Sequence, residues 1–203
     1  MAPRAGLSAM RMSRLNALLL TLVMASPAGA ADRFHLDQRH GMIAFSVDHF
    51  GVFTSSATFG RFRGEVAIDQ AHPENTRIDV EVDADSVTSA WKDGAALLRG
   101  PDFFDATRHR NIRFTSHSVT GVDPHHFRIN GTLVIRGTSQ PLTLDARVER
   151  RRTDPAEGAE AASFIVTGSL SRSAFGMTAH TVMIPDRIHL SITARLALPV
   201  RVQ

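Results

Sequence analysis

Apolar and polar residues alternate along much of this chain. From Arg77 to Asp83 the sequence reads RIDVEVD, and every second residue from Ile188 to Leu198 is apolar. A period of two is typical of strands that bury one face and leave the other in water. Shorter alternating runs between turn signals predict further strands. These lie at Phe34–Asp37, Ile43–His49, Phe59–Ile68, Ile112–Val119, Phe127–Ile135, Leu142–Arg150 and Phe164–Leu170.

Eight or nine strands at this spacing predict an all-β domain in which sequential strands pair antiparallel. An open sheet would leave unpaired edges, and closing the sheet removes them. We therefore expect an antiparallel barrel, with a two-sheet sandwich as the alternative. Asn130-Gly131 is typical of a hairpin turn. The apolar run that follows it favours a bent strand instead, because a lone glycine in a strand often marks a bend or bulge.

One segment between the strands has helical rather than alternating spacing. Its apolar residues Trp91, Ala95 and Leu98 follow the i, i+4, i+7 pattern, and Gly100-Pro101 ends it. We expect one or two short helices in the domain, and this segment is one of them. It either caps the barrel end through core contacts alone or also closes a ligand cavity with Trp91, Leu97 and Leu98.

The first thirty residues have the pattern of a secretory signal. Three arginines precede an apolar run from Leu15 to Ala25, and small residues follow at Ala28-Gly29-Ala30. The apolar run is too short to span a bilayer. We therefore expect residues 1–31 to be a signal peptide and residues 32–203 to form one exported domain without an integral membrane segment after cleavage.

Charge and cysteine content exclude several classes of function. Of the chain's 23 basic and 20 acidic residues, three arginines and no acid fall in the leader, which leaves the mature chain neutral before histidine is counted. No nucleic-acid partner is expected, because such proteins use a basic surface for affinity. The chain has no cysteine, so the exported domain depends on its core rather than on disulfides.

The stretch AFSVDHFGVFTSSATFGRFRG, from Ala44 to Gly64, is unusually rich in phenylalanine. It holds five of the chain's 12 phenylalanines. The rings either pack against one another as a plain core or line a cavity that holds an apolar ligand, since an eight-stranded barrel is wide enough for either. Both interpretations stay open at this point. The five are Phe45, Phe50, Phe53, Phe59 and Phe62.

A series of short motifs gives the chain a resemblance to a known family. The motifs are DQRH at Asp37–His40, Ala44–Phe50, Phe59–Gly64, PDFFD at Pro101–Asp105, Asn111–Ser116, Gly131–Gly137 followed by Pro141-Leu142, and Arg172–Met177. In this order and spacing they resemble the YceI-like family, the polyisoprenoid-binding periplasmic proteins. The resemblance extends over essentially all of the mature chain.

The resemblance implies a lipocalin-like antiparallel barrel of eight strands with a long apolar interior. It also implies binding of an isoprenoid lipid such as a polyprenyl phosphate or a quinone, with no established catalytic residues. One departure affects the headgroup. The family usually carries Arg-Asp-x-His-Leu in the helix before the PDFF motif, whereas Gly94–Leu98 reads GAALL and keeps only the leucine.

Two sets of residues are candidates for the lipid site. Arginine binds phosphate through paired hydrogen bonds, and neutral donors suit a quinone. The apolar wall would add to the five phenylalanines the residues Trp91, Leu98, Phe104, Phe114, Ile135, Phe175 and Met177. The headgroup candidates are Arg61, Arg99 and Arg172 for phosphate and His49 and Ser173 for a quinone.

These features together predict a periplasmic carrier for an isoprenoid lipid rather than an enzyme. The ten histidines show no H-x-H or HExxH spacing and no G-x-S-x-G motif occurs, so we expect no metal site and no catalytic residues. No cofactor is expected beyond the bound lipid or quinone, and a homodimer is a possible assembly. One alternative is an enzyme acting on such a lipid through His49 and Arg61. Another is a stress-response protein with a filled barrel that binds a partner protein.

Overall fold

The computed structural model describes residues 31–69, 72–154 and 159–199. Residues 1–30 of the predicted leader lie outside the described residues, so the leader stays a prediction. Among the described helices, none is long and apolar enough to cross a bilayer. The strands are β1 Asp32–Asp37, β2 Gly41–His49, β3 Phe53–Phe59, β4 Phe62–Ile68, β5 Arg77–Asp83, β6 Val87–Ser89, β7 Asn111–Asp123, β8 His126–Ile135, β9 Thr138–Asp154, β10 Ala159–Ser171 and β11 Arg187–Pro199; the α-helix is α1 Gly94–Arg99, and 3₁₀ turns occur at Pro73–Asn75, Ala84–Ser86 and Ser173–Phe175.

The strands form one antiparallel sheet, in the order β1-β4-β5-β7-β8-β9-β10-β11-β2-β3-β6. The predictions of an all-β class and antiparallel pairing are therefore confirmed, and the sandwich alternative is wrong because all described strands belong to a single sheet. The sheet has eleven strands, which differs from the predicted eight. Most of the meander runs through β7 to β11, where each strand pairs with the next along the chain.

The strand count differs because bends divide three segments of the chain. β1 and β2 flank Gln38–His40, β3 and β4 flank Gly60 and Arg61, and β5 and β6 flank the 3₁₀ turn at Ala84–Ser86. Backbone bonds fix these bends to one another: Gly60 N donates to Ser86 O and Asp83 N donates to Arg61 O, each at 3.0 Å. The predicted strand Phe59–Ile68 is accordingly split in two.

The order of the strands shows why the sheet curls. β1 and β2 follow each other in the chain but stand at opposite sides of the strand order, β1 beside β4 and β2 between β11 and β3. The short connection between them therefore draws the two sides of the sheet together. A backbone bond of 2.7 Å from Arg195 N to His40 O strengthens this junction. The result is a barrel-like sheet with an inner and an outer face.

A bulge between β7 and β8 confirms the bent-strand interpretation of Asn130-Gly131. Both residues lie inside β8, and the register with β7 shifts between Ser116 and Ser118. Gly131 is required there because a Cβ atom would come within 2.6 Å of the Phe114 ring. The shift changes the phase of the alternation, so that Phe114 and Val119 are both buried although their numbers differ in parity.

The predicted helix exists but begins three residues after Trp91, at Gly94. Asp93 before it adopts a left-handed backbone conformation, and a Cβ on Gly94 would stand 2.8 Å from the Trp91 ring. At the other end, Gly100 N donates to Leu97 O and Phe104 N donates to Leu98 O, each at 3.0 Å. The helix thereby holds the PDFF segment across one end of the curled sheet.

Candidate ligand-binding cavity

A cavity of about 350 Å³ lies inside the curled sheet. Pockets that hold small molecules are commonly about 300–1,000 Å³, so this volume suits a slender ligand. The inner-face residues of the strands form most of the wall, and α1 and the PDFF segment complete it. Only six of the described lining residues are polar. These are His49, Ser55, Ser56, Thr76, Ser89 and Arg172.

The cavity is elongated along the strands. Phe127 and Ile135 both line it and lie eight residues apart on β8, which corresponds to about 26 Å at about 3.3 Å per residue. Inner-face residues between them, such as Ile129 and Leu133, also line the cavity. An extended chain fits this shape better than a compact ring system does.

The two ends of the cavity differ in exposure. Ser55, Ser56 and Trp91 are the exposed lining residues, and all three lie where β2 ends and β3 begins or directly after β6. We call this end the mouth. The opposite end, called the far end, has the 3₁₀ turn at Pro73–Asn75 and the β7–β8 turn, and its lining residue Thr76 is buried.

The structure places eight of the twelve predicted wall residues on the cavity surface. Three of them, Phe45, Phe59 and Phe104, also pack on one another, with ring centroids 5.4 to 5.7 Å apart. Core packing and cavity lining are therefore not exclusive for these rings. Ligand contact itself stays a prediction for the whole set. The eight are Phe45, Phe59, Trp91, Leu98, Phe104, Phe114, Ile135 and Met177.

Four predicted wall residues do not line the cavity. Phe50 is at the tip of the β2–β3 turn, and Phe53 lies beyond the mouth, where its exposed ring stacks on His49 with centroids 4.3 Å apart. Phe62 is buried in the core at the start of β4, next to the Gly60 bend. Phe175 is buried in the 3₁₀ turn after β10, where strand alternation no longer directs side chains inward.

His49 connects three parts of the mouth. Its Nδ1 is 2.9 Å from Met183 O and its Nε2 is 3.0 Å from the Ser55 hydroxyl. A carbonyl oxygen can only accept a hydrogen bond. A neutral His49 therefore donates from Nδ1 to Met183 O and accepts a hydrogen bond from the Ser55 hydroxyl at Nε2. The imidazole therefore holds these segments of the mouth together, with both ring nitrogens bonded to the protein.

Arg172 is the buried charge of the wall, with only 2% of its surface exposed. Its guanidinium donates to Pro185 O at 3.1 Å, Met177 O at 2.6 Å and Ile184 O at 2.8 Å. Burial lowers the pKa of Arg172, and the nearby Asp186 opposes this, but an arginine stays protonated in proteins. Three of its five N–H groups thus donate to carbonyl oxygens of the described residues.

Three headgroup candidates lie outside the cavity, which corrects the prediction for Arg61, Arg99 and Ser173. Arg61 pairs with Asp83 at 2.9 Å. Arg99 donates to the carbonyl oxygens of Asp85 and Val87 at 2.8 and 2.9 Å, and so ties α1 to β6. Ser173 is exposed, and its amide donates to Asp186 at 2.8 Å. Each group already has protein partners away from the wall.

Sequence reasoning missed most of the aliphatic wall. Lining residues such as Val80, Leu133, Leu144, Val166 and Ile192 were not among the predicted site residues. The signal for them was present, because the alternation that predicts each strand also divides its residues into two faces. The alternation does not predict which face of the sheet turns inward, since both faces of a sheet can bury apolar side chains.

Comparison with known proteins agrees with this geometry. The model of the YceI-like domain family matches residues 34–196, which is most of the chain. The chain belongs to the YceI-like family. A UPF0312 protein of Pectobacterium carotovorum subsp. carotovorum is 27% identical over 164 residues, covering 81% of this chain and 84% of that protein.

Two solved structures share the fold. Burkholderia cenocepacia BcnA has a TM-score of 0.70 at 18% identity, covering 79% of this chain and 98% of BcnA. A polyisoprenoid binding domain from Saccharophagus degradans, implicated in plant cell wall breakdown, has a TM-score of 0.59 at 12% identity, covering 83% of this chain and 99% of that domain. At these identities the likeness concerns the fold alone.

Proposed function

We propose that this protein binds an isoprenoid lipid, a polyprenyl phosphate or a quinone, and carries or sequesters it in the periplasm without chemical change. The observation that supports this best is the long apolar cavity with Arg172 and His49 at its mouth. The fold shared with the polyisoprenoid binding domain of Saccharophagus degradans supports the same ligand class.

The tail of such a lipid would lie along the inner faces of β8 to β11. Each CH₂ group that leaves water for an apolar site gains about 0.8 kcal/mol, so a chain of several isoprene units gains enough to offset the loss of its own freedom. A wall of Leu, Ile, Val and Phe offers the ligand no hydrogen-bond donors or acceptors. The tail is therefore recognised by length and thickness rather than by hydrogen bonds.

The head of the lipid would remain at the mouth, near Arg172. A phosphate accepts two hydrogen bonds from one guanidinium and adds charge pairing, whereas a quinone oxygen accepts them without charge. The three hydrogen-bond partners of Arg172 are neutral carbonyl oxygens, and the nearby Asp186 offsets only part of its charge, so an anionic head gains more from this site than a neutral one. We therefore favour polyprenyl phosphate over quinone as the first ligand to test.

Binding without catalysis suits the polar groups of the described wall. They are three serines, one threonine, His49 and Arg172, and both nitrogens of His49 are already bonded to Met183 and Ser55. A general base needs a free acceptor within reach of the substrate. His49 would have to give up one of its two partners to serve as one.

The test is to extract the purified protein with organic solvent and identify lipids by mass spectrometry. Ala146→Phe adds a ring on the cavity wall, and Ala67→Phe adds the same ring to β4 at a position that does not line the cavity. We expect a prenyl lipid from the unaltered protein and from Ala67→Phe, and much less from Ala146→Phe. No prenyl lipid in any sample, or equal amounts in both variants, would contradict the proposal.

The periplasmic part of the proposal depends on the leader. We expect the exported protein to begin at Ala31 or Asp32, after cleavage at the small residues Ala28-Gly29-Ala30. Cell fractionation followed by N-terminal sequencing measures this. A full-length chain recovered from the cytoplasmic fraction would refute the location while leaving the cavity chemistry untouched.

A further inference from the structure

The cavity mouth is surrounded by exposed apolar side chains. Of the eight large apolar side chains that are exposed among the described residues, six belong to segments at the mouth, and only Met42 and Val122 lie elsewhere. A contiguous exposed apolar patch on a soluble domain normally marks an interaction surface. We call the six the mouth rim. They are Phe50, Val52, Phe53, Trp91, Val182 and Met183.

The β2–β3 turn carries a phenylalanine that folding does not explain. Phe50 and Gly51 have φ values of 55° and 77°, and Val52 N donates to His49 O at 3.0 Å, which is the geometry of a type I′ turn. Asparagine is favoured at the first central position of this turn, and a bulky residue there is strained. Since Phe50 is 72% exposed, no core contact offsets that strain.

The other rim segments are also held outward by specific bonds. Met183 N and Ile184 N both donate to His180 O, at 3.0 and 2.8 Å, in a tight turn where His180 has a φ of 55°. Val182 and Met183 project from it with 86% and 71% exposure. His49 joins this turn to β3 through Met183 O and Ser55. The rim is thus a formed surface rather than a set of loose loops.

The charged residues near the mouth rim indicate which kind of partner it can bind. Neither Phe50–Phe53 nor the stretch from Thr181 to Pro185 contains a charged residue. Beside Trp91 stands Lys92, which is the only lysine of the chain. The rim therefore offers hydrocarbon and one indole, with no basic cluster to attract anionic headgroups. This chemistry matches the interface of a bilayer, where tryptophan and aliphatic side chains insert and tryptophan is enriched.

We propose that the mouth rim docks on a lipid bilayer, with the tips of Phe50, Trp91 and Val182 inserted among the acyl chains and the cavity opening toward them. This inference rests on the proposed function, because isoprenoid lipids dissolve in bilayers and not in water. Direct contact between mouth and bilayer lets the tail pass from one apolar phase to another. The continuity of the rim with the cavity wall, through Trp91 and His49, provides that path.

Trp91 is the chain's only tryptophan and reports on the rim directly. The protein, expressed with its own leader so that processing is natural, is mixed with phosphatidylcholine vesicles that contain no isoprenoid. We expect Trp91 emission to shift to shorter wavelength and to be quenched by brominated acyl chains. We also expect the shift to persist at high salt, because no basic cluster contributes to binding.

Matched variants separate docking from folding. Phe50→Asn keeps or improves the type I′ turn while removing the ring, so vesicle binding should fall about tenfold with no loss of thermal stability. Val52→Ser at the rim should also weaken binding. Val122→Ser removes the same side chain near the β7–β8 turn at the far end and should leave vesicle binding unchanged.

Three results would overturn the docking surface. One is Trp91 emission that ignores vesicles. Another is equal weakening by Val52→Ser and Val122→Ser. The third is a concentration-dependent dimer in sedimentation that the rim variants disrupt, without vesicle binding, which would assign the rim to a second copy of the chain. The vesicles contain no isoprenoid, so the Trp91 measurement does not depend on whether lipid is found by extraction. The proposals of isoprenoid binding and of bilayer docking can therefore be refuted independently.

Discussion

The turns at the two ends of the curled sheet differ in the side chains that they expose. At the far end, His72 N donates to the Asp69 carboxylate at 2.9 Å and His125 N donates to the Asp123 carboxylate at 2.8 Å, so polar side chains support the turn backbone. At the mouth, Gly51 N likewise donates to the Asp48 carboxylate at 2.8 Å, but Phe50 beside it occupies a left-handed position and exposes its ring. The far-end turns thus contain residues that stabilise their backbone, whereas Phe50 at the mouth is a residue that its turn conformation disfavours.

The ends also differ in how they are held. The connection from β10 to β11 at the mouth wraps three of its carbonyl oxygens around the buried Arg172. Among the described residues of the far end, consecutive strands such as β7 and β8 are joined by short turns without a buried arginine. The mouth thus holds a buried charge and an apolar rim beside an apolar cavity, and its stability depends on a few specific bonds.

The largest effect should come from removing the charge that organises the mouth. Arg172→Ala leaves three carbonyl oxygens without their donor and should lower the free energy of unfolding by about 3–5 kcal/mol. Arg128→Ala removes an exposed partner of Asp145 at 3.5 Å and should cost less than about 1 kcal/mol. Urea unfolding of both variants measures this. Equal costs would show that Arg172 does not hold the mouth together.

A smaller loss is expected from the residue that links the two sides of the mouth. His49→Ala removes the bonds to Met183 and Ser55 and the stack on Phe53, and should cost about 1–2 kcal/mol. His189→Ala, at an exposed position of β11, is the control and should cost little. Hydrogen exchange at the Met183 amide should rise in the first variant alone. Unchanged hydrogen exchange at the Met183 amide would mean that His49 does not stabilise the turn that contains Met183.

Acid should loosen the mouth through Asp186. The Ser171 hydroxyl, and after it the Ser173 amide, hold the pKa of Asp186 below its ordinary value of 3.8. A carboxyl with a lowered folded-state pKa contributes stability above about pH 4, and this contribution is lost as the pH falls through the folded-state pKa. Asp186→Asn and Ser171→Ala should therefore both flatten the fall in unfolding free energy below pH 4. Curves parallel to that of the unaltered protein would contradict this role.

The smallest effect concerns the strained turn. Phe50→Asn should raise the free energy of unfolding by up to about 1 kcal/mol, because asparagine tolerates the left-handed conformation that strains phenylalanine. Thermal unfolding measures the change. A loss of stability would show that the Phe50 ring supports the fold. The residues of the mouth turn would then stabilise the fold as those of the far-end turns do.

The sequence pattern predicted most of the sheet and the bend at Asn130-Gly131, but it missed the bend at Gly60 and Arg61. Eight of the nine predicted strands lie within single observed strands, but Phe59–Ile68 is divided because Gly60 and Arg61 bond to the 3₁₀ turn at Ala84–Ser86. The strand Phe53–Phe59 was mostly missed since its centre, TSSAT, has few apolar residues. Bonds between distant segments decide both cases, and a local pattern does not contain them.

The site was harder to predict than the fold. Phe53 and Phe59 share parity, yet the first is exposed and the second lines the cavity, because only the second lies between the two ends. Arg61 and Arg172 were equal candidates in the sequence. Arg172 became the buried one because the segment from Met177 to Pro185 folds its carbonyl oxygens around it. Such wrapping depends on tertiary structure and leaves no periodic signal.

The central claim is that the inner face of this sheet encloses an isoprenoid tail. The most direct test is to measure intermolecular nuclear Overhauser effects between a polyprenyl phosphate and the protein's methyl groups. Leu133 and Leu144 line the cavity, and Val134, next to Leu133 on β8, does not. We expect ligand contacts to the methyl groups of both leucines and none to Val134. Saturating ligand that contacts only the mouth rim, or Val134 as strongly as Leu133, would contradict the claim.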